Sequence, residues 1–329
     1  MRSAPRTIVV VAVLGLLQGA MPHIASAQSY PTRPITMIVP YTAGGPSDVL
    51  ARVMSEPLKA TLGQSLIIET VTGAGGSIGT GRVARSAPDG YTVGIGHNQT
   101  HVINGATLTL PYDVVKDFDP VTLIADTPIW IVARKSLPAN DMKELIAWLK
   151  RSDTKASVGQ VGIGGPADVA IAAFQRQTGT HFPTIPYRGG AAVVQDMLGG
   201  QIDLTFGQAA NYLSQVRSGQ LKALAVLTPK RWWAAPDVPT LDEASIKGIY
   251  AGFWHGIWVP KGTPKPIIDR LNAAFTQTLA DATVQKRFQD VGQEIFPAAQ
   301  QNPASLADKQ KTEIERWWPV IKAEGIKAE

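Results

Sequence analysis

The chain has no cysteine among its 329 residues. It therefore has no disulfide, no thiol nucleophile and no cysteine-based metal site. A lipid-anchored bacterial precursor needs a cysteine at its cleavage site, so we expect no lipoprotein attachment. An exported protein of this length can fold without disulfides if its core is large enough. The missing cysteine is thus compatible with an oxidising compartment.

Charge is also scarce, since only 17% of the residues are charged. The formal net charge is +5, and it falls by two, to +3, without Arg2 and Arg6. The longest later basic cluster is Lys230 and Arg231, which precede two tryptophans. One such cluster is more typical of a solvated loop than of a nucleic-acid-binding surface. We therefore predict no nucleic-acid partner.

Long hydrophobic runs are missing beyond the N-terminus. The apolar run at residues 7–19 follows the basic Arg2 and Arg6 and precedes small residues at 25–27. It is shorter than the ~20 residues that a bilayer span needs. This order predicts a signal peptide over residues 1–27, cleaved before Gln28, and export to the periplasm.

The remaining sequence predicts an α/β fold with mostly parallel sheets, because short β-branched runs alternate with helical patterns. With 44% hydrophobic residues, the chain can bury two cores. Predicted strands cover residues 35–39, 65–70, 91–95, 157–160, 184–186, 203–206 and 221–227. Predicted helices begin near residues 47, 78, 141, 166, 191 and 209, and after residues 264 and 306.

Two extended apolar segments, residues 120–134 and 253–259, lack helical spacing and are interpreted as crossings between lobes. The first lobe is then formed by residues 28–125 and 253–329, and the second by residues 126–252. Two connecting strands would let the lobes hinge while each keeps its core intact. A ligand is accordingly expected in the cleft between them.

Glycine-rich loops at residues 41–47, 73–79 and 162–167 each lie between a strand and a helix. In an open parallel sheet, ligands bind at this end of the strands. The first turn of a helix has unpaired N–H groups and a partial positive charge, so it can hold an anion without a cationic side chain. Any one of these loops could be a tight connection only. A glycine-rich loop before a helix in each of two facing lobes favours an anion-binding cleft.

Short sequence blocks recur in order over nearly the whole mature chain. They are YPTRPI at 30–35, AGGPSD at 43–48 with Arg52, GAGG at 73–76, PDGYT at 88–92, PYRGG at 186–190, GQID at 200–203, PDVPT at 236–240 and GTP at 262–264. In this order the blocks closely resemble the Bug family, the substrate-binding proteins of tripartite tricarboxylate transporters. The resemblance implies a two-lobed periplasmic-binding-protein fold of type II. It also implies a monomer without cofactor or metal that captures a small organic acid and delivers it to the membrane subunits of a transporter, or to a sensor domain.

Carried over by position, the resemblance implies ligand contacts at both ends of the cleft. Lobe one would contribute Tyr41, Gly44, Gly45 and Ser47, and lobe two Gly164, Gly165 and Ala167. Neighbouring strand ends and loops add the candidates Gly75, Gly76, Ser77, His97, Asp168, Arg188 and Gln208. For three of these a structural role is also open: Arg188 as a solvated loop charge, and Gln208 and Asp168 as helix caps.

Two departures from the family affect the expected ligand. Asp168 stands where the family often has histidine; if it faced the cleft, it would favour a ligand with a hydrogen-bond donor. His97 stands where the family usually has a small hydroxyl residue, and its imidazole could bind a carboxylate or stack on an aromatic acid. Because Trp130, Trp254 and His255 lie on the crossings, aromatic carboxylates join di- and tricarboxylates as candidates, although most tryptophans are core residues.

The alternative to a binding protein is a secreted serine hydrolase. Residues 75–79, GGSIG, fit a nucleophile elbow with Ser77 as the nucleophile. Such an enzyme would need His181 or His255 as its base, and an aspartate such as Asp203. Because the same run is already part of a family binding loop, we favour ligand binding without catalysis.

Overall fold

The computed structural model describes residues 30–151, 155–161, 164–187 and 189–328. The predicted signal peptide, the loop residues 162 and 163, and Arg188 lie outside the described residues. None of the described helices is both long and apolar enough to cross a bilayer.

The strands and helices alternate along most of the described chain. The strands are β1 (Ile35–Val39), β2 (Leu66–Thr70), β3 (Thr92–His97), β4 (Phe118–Arg134), β5 (Val158–Val161), β6 (Thr184–Tyr187), β7 (Leu204–Gln208), β8 (Leu221–Val226), β9 (Gly252–Pro260) and β10 (Glu294–Ile295). The α-helices are α1 (Pro46–Leu62), α2 (Ser77–Ala84), α3 (Asn104–Thr107), α4 (Met142–Leu149), α5 (Pro166–Thr178), α6 (Gly190–Leu198), α7 (Leu213–Arg217), α8 (Lys265–Leu279), α9 (Ala282–Asp290) and α10 (Pro303–Ala323).

The long strand β4 joins two lobes. Its first half lies in the sheet of lobe 1, in the order β2-β1-β3-β9-β4, and its second half lies in the sheet of lobe 2, in the order β4-β7-β5-β6. The outer strands of each lobe are parallel, whereas β4 and β9 run antiparallel to their neighbours. The carboxyl ends of β1 and β3 therefore face those of β5, β6 and β7 across the lobe boundary.

Each lobe has its own hydrophobic core. In lobe 1, Met37 of β1 packs in one cluster with Leu50 and Met54 of α1. In lobe 2, the rings of Phe174 and Phe206 lie 5.3 Å apart, edge to face, and both belong to the main cluster. Separate cores let the lobes move relative to each other without unpacking either one.

The C-terminal helix α10 contacts both lobes. Its Leu306 and Ile321 share a cluster with Ile38 of lobe 1 and with Val169 of α5 in lobe 2. The lobe boundaries at residues 125/126 and 252/253 fall within β4 and at the first residue of β9, and they stay a prediction.

Most predicted elements are present. The seven predicted strands agree with the structure to within two residues at each end. The helix predicted near Ala209 begins instead as a 3₁₀ turn, Ala209–Asn211, and α7 starts only at Leu213. Strand β10 was not predicted, because two residues are too few to give a periodic pattern.

Candidate functional site

A cavity of about 310 Å³ lies between the lobes, at the carboxyl ends of the parallel strands. We call it the ligand cavity. Lobe 1 lines it with residues 41–47, His97, Gln99, Phe253 and His255. Lobe 2 lines it with Val161, Ala167, residues 189–191, residues 206–208, Asn211 and Tyr212. Because both lobes supply walls, the cavity depends on how they are arranged.

Three helices begin at the ligand cavity: α1 of 17 residues, α5 of 13 and α6 of 9. Their first-turn residues Ser47, Ala167 and Ala191 line it. First-turn N–H groups have no acceptor within their own helix, and the helix dipole places partial positive charge there. One N-terminus from lobe 1 and two from lobe 2 thus offer hydrogen-bond donors to an anion held between the lobes.

Among the described residues that line this cavity, none has a charged side chain. Its polar side chains are hydroxyls, amides and the two histidines, and its apolar walls include Phe206 and Phe253. An anion bound here would therefore be held by main-chain N–H groups and neutral donors, while the apolar walls would contact the rest of the ligand.

The first loops of both lobes have the same construction. Residues 44–48 read Gly-Gly-Pro-Ser-Asp, and residues 164–168 read Gly-Gly-Pro-Ala-Asp. In each loop the first glycine has a positive φ, +79° at Gly44 and +69° at Gly164. The aspartate four residues later accepts the N–H of that glycine: Asp48 at 2.8 Å from Gly44, and Asp168 from Gly164. Each aspartate therefore fixes the loop that precedes its helix.

The two aspartates differ in their surroundings. Asp48 also accepts from the Arg52 guanidinium at 2.9 Å, and although burial opposes it, the pKa of Asp48 is held below its usual range by Arg52 and the Gly44 N–H. For Asp168, burial raises the pKa to about 6, against the opposing effect of its hydrogen bonds with Gly164, Gln160 and Gly165. Asp168 faces the loop and is not among the lining residues of the ligand cavity.

His97 is one of the residues that line the ligand cavity. Its Nδ1 accepts from the main-chain N–H of Gln99 at 3.1 Å, so the proton of the neutral ring resides on Nε2. Burial, followed by the neighbouring His255 and His101, lowers the pKa of His97 well below its usual value. The ring stacks on Tyr41 with centroids 4.5 Å apart, which fixes its orientation. His97 is thus a neutral, directed hydrogen-bond donor.

Ser47 and His255 connect the first helix to the crossing strand β9. Ser47 Oγ lies 3.1 Å from His255 Nε2, and both side chains are buried. Burial lowers the pKa of His255 to about 4, so its ring is neutral near pH 7. This contact ties the N-terminus of α1 to the wall of the cavity.

Strand β9 separates the ligand cavity from a second cavity. Phe253 and His255 face the ligand cavity, whereas Gly252 and Trp254 line a cavity of about 270 Å³. This alternation follows from the two-residue period of a strand. Trp130, the other tryptophan considered in the sequence, lies in the core of lobe 2. The aromatic wall of the ligand cavity is therefore formed by other rings, including Tyr41, His97 and Phe253.

The structure brings about half of the predicted site residues into the ligand cavity. Those that line it are Tyr41, Gly44, Gly45, Ser47, His97, Ala167 and Gln208. Those described but not lining it are Gly75, Gly76, Ser77, Gly164, Gly165 and Asp168. Arg188 lies outside the described residues. The assignment of all of them as ligand contacts stays a prediction.

Gly75 and Gly76 lie behind Tyr41. The Tyr41 hydroxyl donates to the Gly75 carbonyl at 3.3 Å, and a side chain at Gly76 would lie 3.0 Å from the Tyr41 ring. This loop therefore supports a residue that lines the cavity. In the described part of the chain, Ser77 has no histidine partner, and His255 is hydrogen-bonded to Ser47 instead. The structure thus gives the hydrolase alternative no support.

Sequence reasoning missed several lining residues, among them Phe253, the 189–191 turn and Asn211. Phe253 and His255 share one face of a predicted crossing strand through their two-residue spacing, but this spacing does not say which face meets the cavity. The paired Gly-Gly-Pro-x-Asp segments were also visible as a short repeat. No comparable signal marks Asn211.

Known proteins resemble this chain over most of its length. A family model described as the tripartite tricarboxylate transporter family receptor matches residues 50–326. The structure of the periplasmic binding protein BugD is 38% identical, has a TM-score of 0.82 and covers 91% of this chain and 99% of BugD. MatC from Rhodopseudomonas palustris with bound malate is 34% identical, with a TM-score of 0.81, over 89% of this chain and 100% of MatC. An R. palustris protein with adipate is 31% identical, with a TM-score of 0.83, over 91% and 99%.

Proposed function

Because the chain belongs to the tripartite tricarboxylate transporter receptor family, we propose that it binds a small organic carboxylate in the ligand cavity for delivery to a transporter of this kind. Members of this family are solute-binding proteins, so the bound acid is released unchanged. The two similar structures with malate and adipate support a carboxylate ligand.

The observation that carries the proposal is the meeting of three helix N-termini at an uncharged cavity. A carboxylate is well matched to such a site because main-chain N–H groups stabilise its charge without a buried cation. A second carboxylate on the same ligand would use the N-terminus in the opposite lobe. Di- and tricarboxylates therefore fit the arrangement, and an aromatic monocarboxylate would place its ring against Tyr41, His97 and Phe253.

His97 contributes one directed donor to the carboxylate, and its neutral ring avoids the cost of burying a charge. Gln208 lines the same cavity, so its side-chain amide can add a neutral hydrogen bond to the ligand.

Ligand binding closes the lobes in this mechanism. The open form is populated without ligand. A carboxylate that contacts both lobes binds the closed form more tightly than the open form, and this difference in affinity sets how far the equilibrium shifts towards closure. Residues 1–27 are removed on export, and the mature monomer works in the periplasm. The closed form is then the one that the membrane subunits of the transporter recognise.

A thermal-shift screen of residues 28–329 against mono-, di- and tricarboxylates, amino acids and aromatic acids tests the proposal. A ligand at 100 times its Kd stabilises the native state by about 2.7 kcal/mol. That corresponds to a rise in Tm of roughly 4 °C for a protein of this size. A saturable shift within one class of acid would support the proposal and identify the class. No shift with any acid, while the protein unfolds cooperatively, would refute carboxylate binding.

A further inference from the structure

The chain that follows α10 continues from lobe 1 onto lobe 2. Helix α10 ends at Ala323, and Gly325, with a φ of +61°, turns the chain so that the Ile326 N–H donates to the Ile321 carbonyl at 3.0 Å. A glycine in the left-handed conformation commonly ends a helix in this way. Residues 324–328 then reach α5. We call them the C-terminal strap.

The strap runs along α5 in the opposite direction to the helix. Arg176 Nη1, near the end of α5, donates to the Glu324 carboxylate at 3.2 Å. Two residues later, Ile326 packs against the hydrophobic cluster that includes Val169 in the first turn of α5. Because Arg176 is largely exposed, its ion pair contributes little, and the apolar contact of Ile326 is the stronger of the two.

Ala328 covers the glycine that precedes α5. A Cβ placed on Gly164 would lie 2.7 Å from the Cβ of Ala328 and 3.0 Å from its main-chain nitrogen, so a glycine is needed here to leave room for the strap. At the equivalent Gly44 of lobe 1, no described residue beyond its chain neighbours comes within 4 Å of the same point. The two matching loops therefore differ, because only the loop of lobe 2 is covered by the strap.

The strap and the helix before it are anchored to lobe 1. The Ala328 N–H donates to the Thr107 carbonyl of α3 at 3.1 Å. In α10, Trp318 Nε1 donates to the Val102 carbonyl at 2.9 Å. A movement of lobe 2 away from α10 must therefore break either the contacts between the strap and α5 or those between the strap and lobe 1.

The helix that the strap contacts begins at the ligand cavity. Ala167 in the first turn of α5 lines this cavity, as does Ser47 in the first turn of α1. The relative position of these two N-termini determines whether one ligand can contact both. A contact that is present in one lobe arrangement and broken in another stabilises the first relative to the second. The strap therefore favours the arrangement in which both lobes line the cavity.

We propose that the C-terminal strap positions the N-terminus of α5 at the ligand cavity and so raises the population of the binding-competent lobe arrangement before a ligand enters. Ile326 and Ala328 are then positioning residues, which act through α5 and the loop before it. The inference rests on the proposed function for the nature of the ligand, whereas the positioning itself needs none. If the competent arrangement becomes less populated, the Kd rises by the same factor.

Distances between spin labels in the ligand-free protein test the positioning. The chain has no native cysteine, so Lys59→Cys on α1 and Lys143→Cys on α4 place one label in each lobe at exposed positions. Residues 28–329 are compared with residues 28–325, and with Lys327→Ala, whose exposed side chain lies between the two apolar contacts of the strap. Removing the strap should lower the fraction of molecules at the distance found in this structure at least about threefold. Lys327→Ala should leave that fraction unchanged.

An unchanged distance distribution in the folded, shortened chain would overturn the proposal, and so would an equal change in Lys327→Ala. If the shortened chain does not fold, Ile326→Ala replaces it. This variant removes the apolar contact but keeps the main chain of the strap, so the fraction should fall at least about twofold. An unchanged distribution in Ile326→Ala would overturn the proposal equally.

Calorimetry with malate and adipate separates this proposal from the proposed function. The Kd of an acid that binds the full chain should rise at least about threefold without the strap. If the label distances change but this Kd does not, the arrangement favoured by the strap is not the binding-competent one and the proposal fails. If an acid binds and neither quantity changes, the positioning fails alone. If the distances change but no acid binds the full chain in the thermal-shift screen, the ligand assignment fails and the effect of the strap on the lobes remains.

Discussion

Asp168→Asn tests whether the two matching loops shift the pKa of their aspartates in opposite directions, upward for Asp168 and downward for Asp48. Burial raises the pKa of Asp168 to about 6, against a reference value of 3.8. The native state therefore binds this proton more tightly than the unfolded state does. The resulting stabilisation is full below about pH 4 and is lost as the pH rises through about 6. A shift of about two units corresponds to about 3 kcal/mol, at 1.36 kcal/mol per unit.

Asparagine keeps an oxygen that can accept the Gly164 N–H but cannot ionise. Asp168→Asn should therefore be neutral or stabilising at pH 8. When the pH is lowered from 8 to 5, the free energy of unfolding of the wild type should rise by roughly 1.4 kcal/mol relative to that of the variant. This is less than the full ~3 kcal/mol because the rest of the stabilisation develops only below about pH 5. Urea denaturation at the two pH values measures this difference, and other titrating groups cancel in the comparison.

Asp48→Asn is the matched control in lobe 1. The pKa of Asp48 is lowered, so its carboxylate stabilises the fold above its unfolded pKa, and this stabilisation is lost as the pH falls through its folded pKa. We expect Asp48→Asn to cost about 2 kcal/mol at pH 8, chiefly from the buried charged hydrogen bond to Gly44, since Arg52 is largely exposed. If both variants lost similar stability, with no pH-dependent difference for Asp168→Asn, the tuning argument would be refuted.

Three further predictions follow from the cavity and its supports. His97→Phe keeps a ring beside Tyr41 but removes the N–H donor, so carboxylate affinity measured by calorimetry should fall at least about tenfold; an unchanged Kd would contradict the donor role. Gly76→Ala should cost more than about 2 kcal/mol, because a Cβ would lie 2.8 Å from Thr100 Cγ2. Gly63→Ala, also at positive φ but with open space around it, should cost only about 1 kcal/mol in thermal melts, and equal losses would disprove the packing argument. Small-angle scattering should show compaction at saturating carboxylate, and an unchanged radius of gyration would count against closure.

The fold was largely predictable because its elements carry strong local signals. Strand β1 was predicted with its exact bounds, since an apolar β-branched run stands between prolines. Helix α1 has proline in its first turn and glycine after its last residue, two standard boundary signals. Helix α9 and strand β10 were missed: the helix is short and mostly polar, and the strand acquires its identity only by pairing with β4.

The site was predictable where glycine and proline fix the conformation of a loop that lines it. The loop at residues 41–47 lines the ligand cavity because its glycines and Pro46 fix a turn at a strand end. By contrast, Trp130 and Phe253 both lie on crossing strands, and the sequence does not reveal which face of each strand meets the cleft. That choice is set by strand pairing, since Phe253 lies opposite Thr127 in the β4–β9 pair, whereas Trp130 lies opposite Gly207 of β7 and Val226 of β8.

Strand β9 limits how ligand preference can be re-engineered. Phe253 and His255 shape the ligand cavity, and Trp254 between them points into the opposite cavity. Inserting or deleting one residue before Phe253 would exchange the two faces, bringing the large indole into the ligand cavity and a polar imidazole into the apolar packing on the other side. Substitution in place is therefore the accessible route to new preferences, whereas changes in strand length would alter binding and lobe connection together.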